Sequence, residues 1–167
     1  MVLENSSEPC DFVLFGTQGD LARRKLLPSL YQLEKAELMH AKTKVIGVAR
    51  QDISNKEYVA LVKENIEKYN KEPLCEETWQ LFEKKLDYVS VDMKNADNYK
   101  AFKTHVDPKR MMVCYFATPP SIFGDICRGL KSAKIIDKSM RVVLEKPIGH
   151  NLESSKVIND QVAEFFD

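Results

Sequence analysis

Five short apolar runs alternate with stretches of helical spacing, and that order restricts the fold more than any other feature of the chain. The runs are Asp11 to Phe15, Lys44 to Ala49, Leu86 to Asp92, Arg110 to Thr118 and Arg141 to Glu145. Leu86 to Asp92 alternates like a half-buried strand, but several of the others carry no polar alternation. A strand that is apolar on both sides must be covered on both sides, which is the mark of a parallel sheet between helix layers. The expected class is therefore α/β, with a doubly wound, mainly parallel sheet and helices on both faces. Residues 1–167 read as a single domain, without repeat, low-complexity segment or linker.

The helical stretches supply the layers. Asp20 to Leu38 places Leu26, Leu27, Leu30, Tyr31 and Leu38 on one side. Pro28 falls inside this pattern, where it should kink or loosen the helix. Ser54 and Glu57 form a capping box ahead of Tyr58, Val62, Ile66 and Tyr69. Trp79, Phe82 and Leu86 mark a short helix, and Ala96 to His105 another, with Tyr99 and Phe102 facing inward. Pro119 and Pro120 suit the first positions of the next helix, where a missing N–H costs nothing. Ile122, Ile126, Cys127 and Leu130 form its buried stripe. A last helix, Ser154 to Phe166, carries Val157, Ile158, Val162, Phe165 and Phe166, and the sequence stops just after it, as a fragment ending at a domain boundary would.

Charge narrows the partners. The 25 basic residues balance the 25 acidic ones, so no bulk field recruits nucleic acid or an anionic membrane. Any anion site must be local. The opening MVLENSSEPC lacks the apolar core of a signal peptide, and no apolar run approaches the roughly 18 residues of a spanning helix. Cys10, Cys75, Cys114 and Cys127 form no C-x-x-C pair, and Cys114 sits in an apolar run as a small hydrophobe. These features read as a reduced, cytoplasmic protein without a metal site.

In open α/β sheets ligands bind beyond the carboxyl ends of the strands, near the reversal in strand order. The first run ends in Gly16-Thr17-Gln18-Gly19-Asp20-Leu21-Ala22, with the spacing G-x-x-G-x-x-A. Two glycines let the backbone turn tightly and approach a pyrophosphate, whose charge sits on the helix N-terminus. The same spacing also serves a plain tight turn. Arg23, Arg24 and Lys25 crowd the first turns of that helix, an end that favours acids over bases. A bound anion would make them tolerable.

The second run ends in Arg50 and Gln51. A chain built for NAD usually places an acid about 20 residues past the glycines to bind the ribose. An arginine there offers a planar fork for the extra phosphate of NADP. A solvated loop arginine is the alternative, and Asp52 beside it weakens the NADP reading. NADP is the expected cofactor, with NAD possible and weaker. After the third run, Asp92 and Met93 either border the adenine side of the pocket or cap a turn. After the fourth, Ala117-Thr118-Pro119-Pro120 either lets a flat ring lie against backbone or starts a helix. The fifth leads into EKPIGH, where Lys146 would project toward nicotinamide and substrate, or be a surface lysine before a turn. His150 has only a generic claim to catalysis.

Taken together these residues resemble the glucose-6-phosphate dehydrogenase family, from about Asp11 to the last residue. The strongest motifs are GTQGDLARRKLLPSLYQL and EKPIGHNL, in the right order and separation; GVARQ and ATPPSIFG are similar too. The resemblance implies a Rossmann-type fold and the oxidation of glucose 6-phosphate to 6-phosphogluconolactone in the pentose phosphate pathway. It implies that Gly16, Thr17, Gln18, Gly19, Asp20 and Leu21 bind the cofactor phosphates, and that Arg50 holds the adenosine phosphate beside Gln51. Asp92 and Met93 would line the adenosine end, and Ala117 and Pro119 the nicotinamide. Lys146 would bridge cofactor and sugar, and Lys25 would face glucose 6-phosphate.

The family's general base lies beyond this region, in an Asp-His-Tyr motif, and His40, His105 and His150 belong to no such motif. No catalytic residue is therefore expected in this chain, which covers roughly the first third of a family member and should bind cofactor without turnover. The intact enzyme would be a homo-oligomer through the missing domain and this chain a monomer. Two alternatives stand beside this reading: another sugar oxidoreductase sharing EKP, which would lack the GDLARRK helix, and a non-enzymatic NADP-sensing module.

Overall fold

The computed structural model describes residues 8–145 and 152–165. Its frame is a five-stranded sheet in the order β3-β2-β1-β4-β5, made of β1 (Cys10–Phe15), β2 (Lys44–Ala49), β3 (Leu86–Ser90), β4 (Met111–Phe116) and β5 (Arg141–Leu144). Each neighbouring pair runs parallel. The chain steps from β1 outward through β2 to β3, then returns to the other side of β1 for β4 and β5. The order reverses between β1 and β4, so the crevice expected of such sheets opens at the carboxyl ends of those two strands.

Helices cover both faces. On one side α1 (Leu27–Lys35), α2 (Asn55–Tyr69) and α3 (Glu76–Glu83) bury Leu27, Tyr31, Tyr58, Ile66, Trp79 and Phe82 against Leu14, Val45 and Tyr88. On the other, α4 (Tyr99–Lys103), α5 (Phe123–Ser132) and α6 (Leu152–Ala163) bury Tyr99, Phe102, Ile126, Leu130 and Val162 against Val13, Phe15, Ile46, Cys114 and Phe116. The capping box before α2 is present: Ser54 Oγ accepts from the Glu57 amide at 3.2 Å, and the Ser54 amide donates to Glu57 Oε2 at 2.7 Å.

Several expectations shift by a few residues. Helical winding begins at Asp20, but Ala22–Leu26 is wound as a π-helix, with the Leu27 amide reaching the Ala22 carbonyl. The wider coil sits just ahead of Pro28, whose ring and missing N–H disfavour an ordinary turn there. α1 stops at Lys35, and Leu38 is 60% exposed instead of buried. Leu86 opens β3 and does not belong to the preceding helix, and β3 ends before Asp92. Pro119 precedes a 3₁₀ turn, Pro120–Ile122, and α5 follows it. α6 begins at Leu152, two residues early, and its Val157 is 52% exposed. Met111, Val113 and Tyr115 of β4 are only half-buried, because α1 to α3 pack over β1, β2 and β3.

Candidate functional site

Gly16 turns the chain at the end of β1 with φ +84°. A Cβ there would lie 2.7 Å from the Ala117 carbonyl oxygen and 2.9 Å from Thr118 Cγ2. Only glycine combines that backbone angle with so close an approach. The turn is tied to the sheet on both sides. The Gly16 and Thr17 amides donate to the Val48 carbonyl of β2 at 2.9 and 3.2 Å, and the Ala117 amide donates to Phe15 at 2.9 Å. The Gly19 amide closes the turn onto the Gly16 carbonyl at 2.9 Å. Gln18 keeps its amide free of backbone carbonyls, and the first amides of the helix that follows have no intrahelical partner.

Thr17 behaves differently from its neighbours. It is 0% exposed, and its hydroxyl lies 2.6 Å from that of Tyr58. Its side chain faces the core, so Thr17 shapes the turn from within and presents no side-chain group to the crevice. Gln18 Nε2 and Arg23 Nε, by contrast, are buried without a hydrogen-bond partner, and buried polar groups are nearly always paired in a complete site.

The basic turn is partly neutralised. Arg24 Nε lies 2.6 Å from Asp20 Oδ1, one helical turn back, and its guanidinium sits over the Tyr69 ring at 5.4 Å. Lys25 is exposed and lines an open groove of about 480 Å³ with Arg24, Gln32, Tyr69 and Glu72. Lys146 and His150 lie outside the described residues.

The ends of β2, β3 and β4 converge. Arg50, Asp92, Met93, Thr118 and Ile122 line one cleft of about 180 Å³, with Val91 and Lys94. The Arg50 side chain is exposed and makes no ion pair or hydrogen bond among the described residues. Its loop is held by the backbone: Ser90 Oγ donates to the Arg50 carbonyl at 3.3 Å, and the Tyr88 hydroxyl donates to the Gln51 carbonyl at 2.6 Å. Asp92 both borders the cleft and caps a turn, accepting from the Lys94 amide at 3.2 Å. Met93 is half-buried, and its carbonyl accepts from the Tyr99 hydroxyl at 2.9 Å. Pro119 is exposed beside this cleft. The Thr118 hydroxyl is buried in it without a partner.

Sequence reasoning passed over Thr118, Tyr58 and Tyr88 as site residues. Thr118 carried a usable signal, a lone hydroxyl between an apolar run and two prolines. The tyrosines read as core aromatics, and nothing in their spacing reveals where their hydroxyls reach. The two described histidines are elsewhere: His40 follows α1, and His105 Nδ1 pairs with Asp87 Oδ2 at 2.6 Å. Both lie toward the amino-terminal end of the sheet. Among the described residues there is no group of His, Cys, Asp or Glu that could hold a metal ion, and no helix long and apolar enough to cross a membrane.

Comparison with known proteins agrees with this geometry. The family model for the NAD binding domain of glucose-6-phosphate dehydrogenase matches residues 13–167. The chain is 48% identical over 168 residues to glucose-6-phosphate 1-dehydrogenase of Dickeya dadantii, covering 100% of this chain and 34% of that protein. The enzyme of the same name from Mycolicibacterium smegmatis is 37% identical over 166 residues, 95% of this chain and 34% of its own. Among solved structures, glucose-6-phosphate 1-dehydrogenase from Mycobacterium avium gives a TM-score of 0.88 at 30% identity, over 96% of this chain and 35% of that one. A glucose-6-phosphate dehydrogenase in complex with glucose-6-phosphate gives 0.82 at 28% identity, over the same shares. The chain thus spans about a third of the length of these relatives. A parallel sheet reversing at β1 and β4, a glycine turn at the reversal and a family match over nearly all the chain lead to one conclusion: this chain belongs to the glucose-6-phosphate dehydrogenase family, as its NAD-binding domain.

Proposed function

We propose that the chain is the NADP-binding domain of a dehydrogenase that oxidises glucose 6-phosphate at C1 to the 6-phosphogluconolactone. The observation that carries this reading is the cleft uniting Arg50, Asp92, Met93 and Thr118 beside the Gly16 turn. The residues present suit a dinucleotide. Gly16 gives close backbone approach, the amides at Gln18, Asp20 and Leu21 face an anion at the helix start, and Gly19 keeps the turn tight. Gln18 Nε2 and the Thr118 hydroxyl are orphaned donors in want of a ligand. Arg50, unpaired, takes the phosphate that distinguishes NADP from NAD, with Gln51 next to it. Asp92 and Met93 flank the adenosine, and Ala117 and Pro119 the nicotinamide. Bound in this way, the dinucleotide supplies a hydride acceptor.

The sugar is assigned to Lys25 and Lys146, whose ammonium groups attract its phosphate. Neither described histidine lies at the carboxyl end of the sheet, so the base that accepts the C1 hydroxyl proton is assigned to the part of a full-length relative that this segment does not match. On this reading the chain is one cytoplasmic domain, monomeric by itself, and the intact enzyme oligomerises through its other part.

Calorimetric titration of the 167-residue chain tests the reading. NADP+ should bind more tightly than NAD+. Arg50→Ala should cost NADP+ about 1.5 kcal/mol, roughly tenfold, the low end for a hydrogen bond to a charged group because the side chain is exposed. NAD+ binding should hold, and glucose 6-phosphate added with NADP+ should give no reduced nicotinamide. Absence of nucleotide binding, or equal loss of both nucleotides in Arg50→Ala, would refute the assignment.

A further inference from the structure

Two buried tyrosines join the glycine turn to the Arg50 loop. Tyr58 projects from α2 and is 1% exposed, and its hydroxyl meets the Thr17 hydroxyl under the turn. The space for this contact is made by Gly47 of β2, where a Cβ would lie 2.3 Å from Tyr58 Oη and 2.9 Å from Thr17 Oγ1. Tyr88 of β3 stacks on Tyr58, with ring centroids 4.9 Å apart and planes inclined by 32°. Its own hydroxyl donates to the Gln51 carbonyl at 2.6 Å. Phenylalanine would fill both places in the core equally well, so packing does not account for the two hydroxyls. Each reaches a different loop, and those loops lie at the ends of β1 and β2, where one dinucleotide's pyrophosphate and adenosine phosphate are assigned. α2 ties them a third way, since its capping residue Ser54 follows the Arg50 loop directly.

We propose that Tyr58 and Tyr88 are paired positioning residues: Tyr58 holds the glycine turn open for the pyrophosphate through Thr17, and Tyr88 fixes the loop that aims Arg50 at the adenosine phosphate. The proposal rests on the cofactor assignment above. Neither ring touches the crevice, so both act through the residues they hold. Burial pushes the Tyr58 phenol well above its usual range, and it stays a neutral hydrogen-bonding group at any working pH. A turn held in binding geometry before the ligand arrives loses less entropy on binding.

The two roles separate by nucleotide. Tyr58→Phe keeps the ring and should weaken NADP+ and NAD+ alike, about three- to tenfold, the range of one hydrogen bond. Tyr88→Phe should weaken NADP+ by a similar factor and leave NAD+ within about twofold. Thr17→Val should reproduce the Tyr58→Phe loss, Thr17→Ser, which keeps the hydroxyl, should restore binding, and Thr17→Val with Tyr58→Phe should lose no more than either alone. Titration calorimetry on each variant reads these ratios. Unchanged affinity in Tyr58→Phe, or the same loss of both nucleotides in both tyrosine variants, would overturn the positioning roles. A wild-type chain that binds neither nucleotide would instead overturn the cofactor assignment and this proposal with it.

Discussion

Replacing Gly16 by alanine confronts two obstacles at once. The φ of +84° places an L side chain in the left-handed region, at about 1–2 kcal/mol. The new Cβ would also lie 2.7 Å from the Ala117 carbonyl oxygen. That oxygen is backbone, locked beside β1 by the Ala117 amide bonded to Phe15, and it cannot swing aside like the end of a side chain. Relief requires the turn to open, which breaks the Gly16-to-Val48 bond or the closure of Gly19 onto Gly16. One such bond is worth about 0.5–1.5 kcal/mol net. The sum is about 1.5–3.5 kcal/mol, and at roughly 2–4 °C per kcal/mol for a domain of this size the midpoint should fall by about 3–14 °C. Thermal unfolding followed by circular dichroism measures this. Saturating NADP+, which at a hundred times its Kd would raise wild-type stability by about 2.7 kcal/mol, should barely move the variant. Gly19→Ala is the control: its Cβ would stand 3.1 Å from the Gly16 carbonyl, without a positive φ, so its loss should be smaller. A Gly16→Ala midpoint within a degree of wild type, with the cofactor response intact, would show that the turn relaxes freely and refute the argument.

Two further outcomes concern the frame. Glu34 and Lys85 form an ion pair with both side chains more than nine-tenths buried, so Glu34→Ala should lower stability by about 3–5 kcal/mol by stranding the lysine, whereas Glu34→Leu with Lys85→Met should be nearly neutral; urea midpoints decide, and a double variant as damaged as the single would contradict this. In the capping box, the hydrogen bond from the Ser54 amide holds the Glu57 carboxyl below its ordinary 4.5. A depressed folded value adds stability that is complete above the unfolded value and disappears as pH falls through the folded one. Glu57→Gln should therefore unfold at lower urea than wild type at pH 7, with the gap closing below about pH 4; a gap independent of pH would remove the charge from the explanation.

The strands were readable because their apolar runs end at glycine, proline or charge, and the cleft because three of its residues lie within three positions of a strand end. Arg50, Asp92 and Met93 converge for that reason alone. Helix limits were harder. Leu38 keeps the period of α1, but nothing in the period says that the helix stops at Lys35, where Glu37 turns the chain with φ +58° and the Leu38 amide folds back onto the Leu33 carbonyl at 3.0 Å. Pro28 announced a disturbance without its form, since a kink and a π-turn both accommodate the ring and the missing N–H. The family resemblance placed Thr17 among the phosphate contacts, but the burial of its side chain rests on Tyr58, 41 residues away, and on the absence of a side chain at Gly47. Such long-range fits leave no local pattern to find. Lys146 and His150 lie outside the described residues.

The reversal of strand order between β1 and β4 also governs how the chain is made. β1 is the central strand, yet its two neighbours arrive at very different times. Val45 pairs opposite Phe12 only 33 positions later, but Val113 pairs opposite the same residue 101 positions later. As the chain leaves the ribosome, amino end first, β1, β2 and β3 can join beneath α1 to α3 while the far edge of β1 still has no partner. β4 must then slot in alongside a strand already fixed. Long-range parallel pairing of this kind is slow to close and leaves an edge open to other chains. The step that closes the open edge of β1 is thus the step that builds the crevice, because Ala117 meets Gly16 only when β4 docks. Until then the nascent chain has its glycine turn without the wall that faces it, and nucleotide binding becomes possible only after the last central strand is in place.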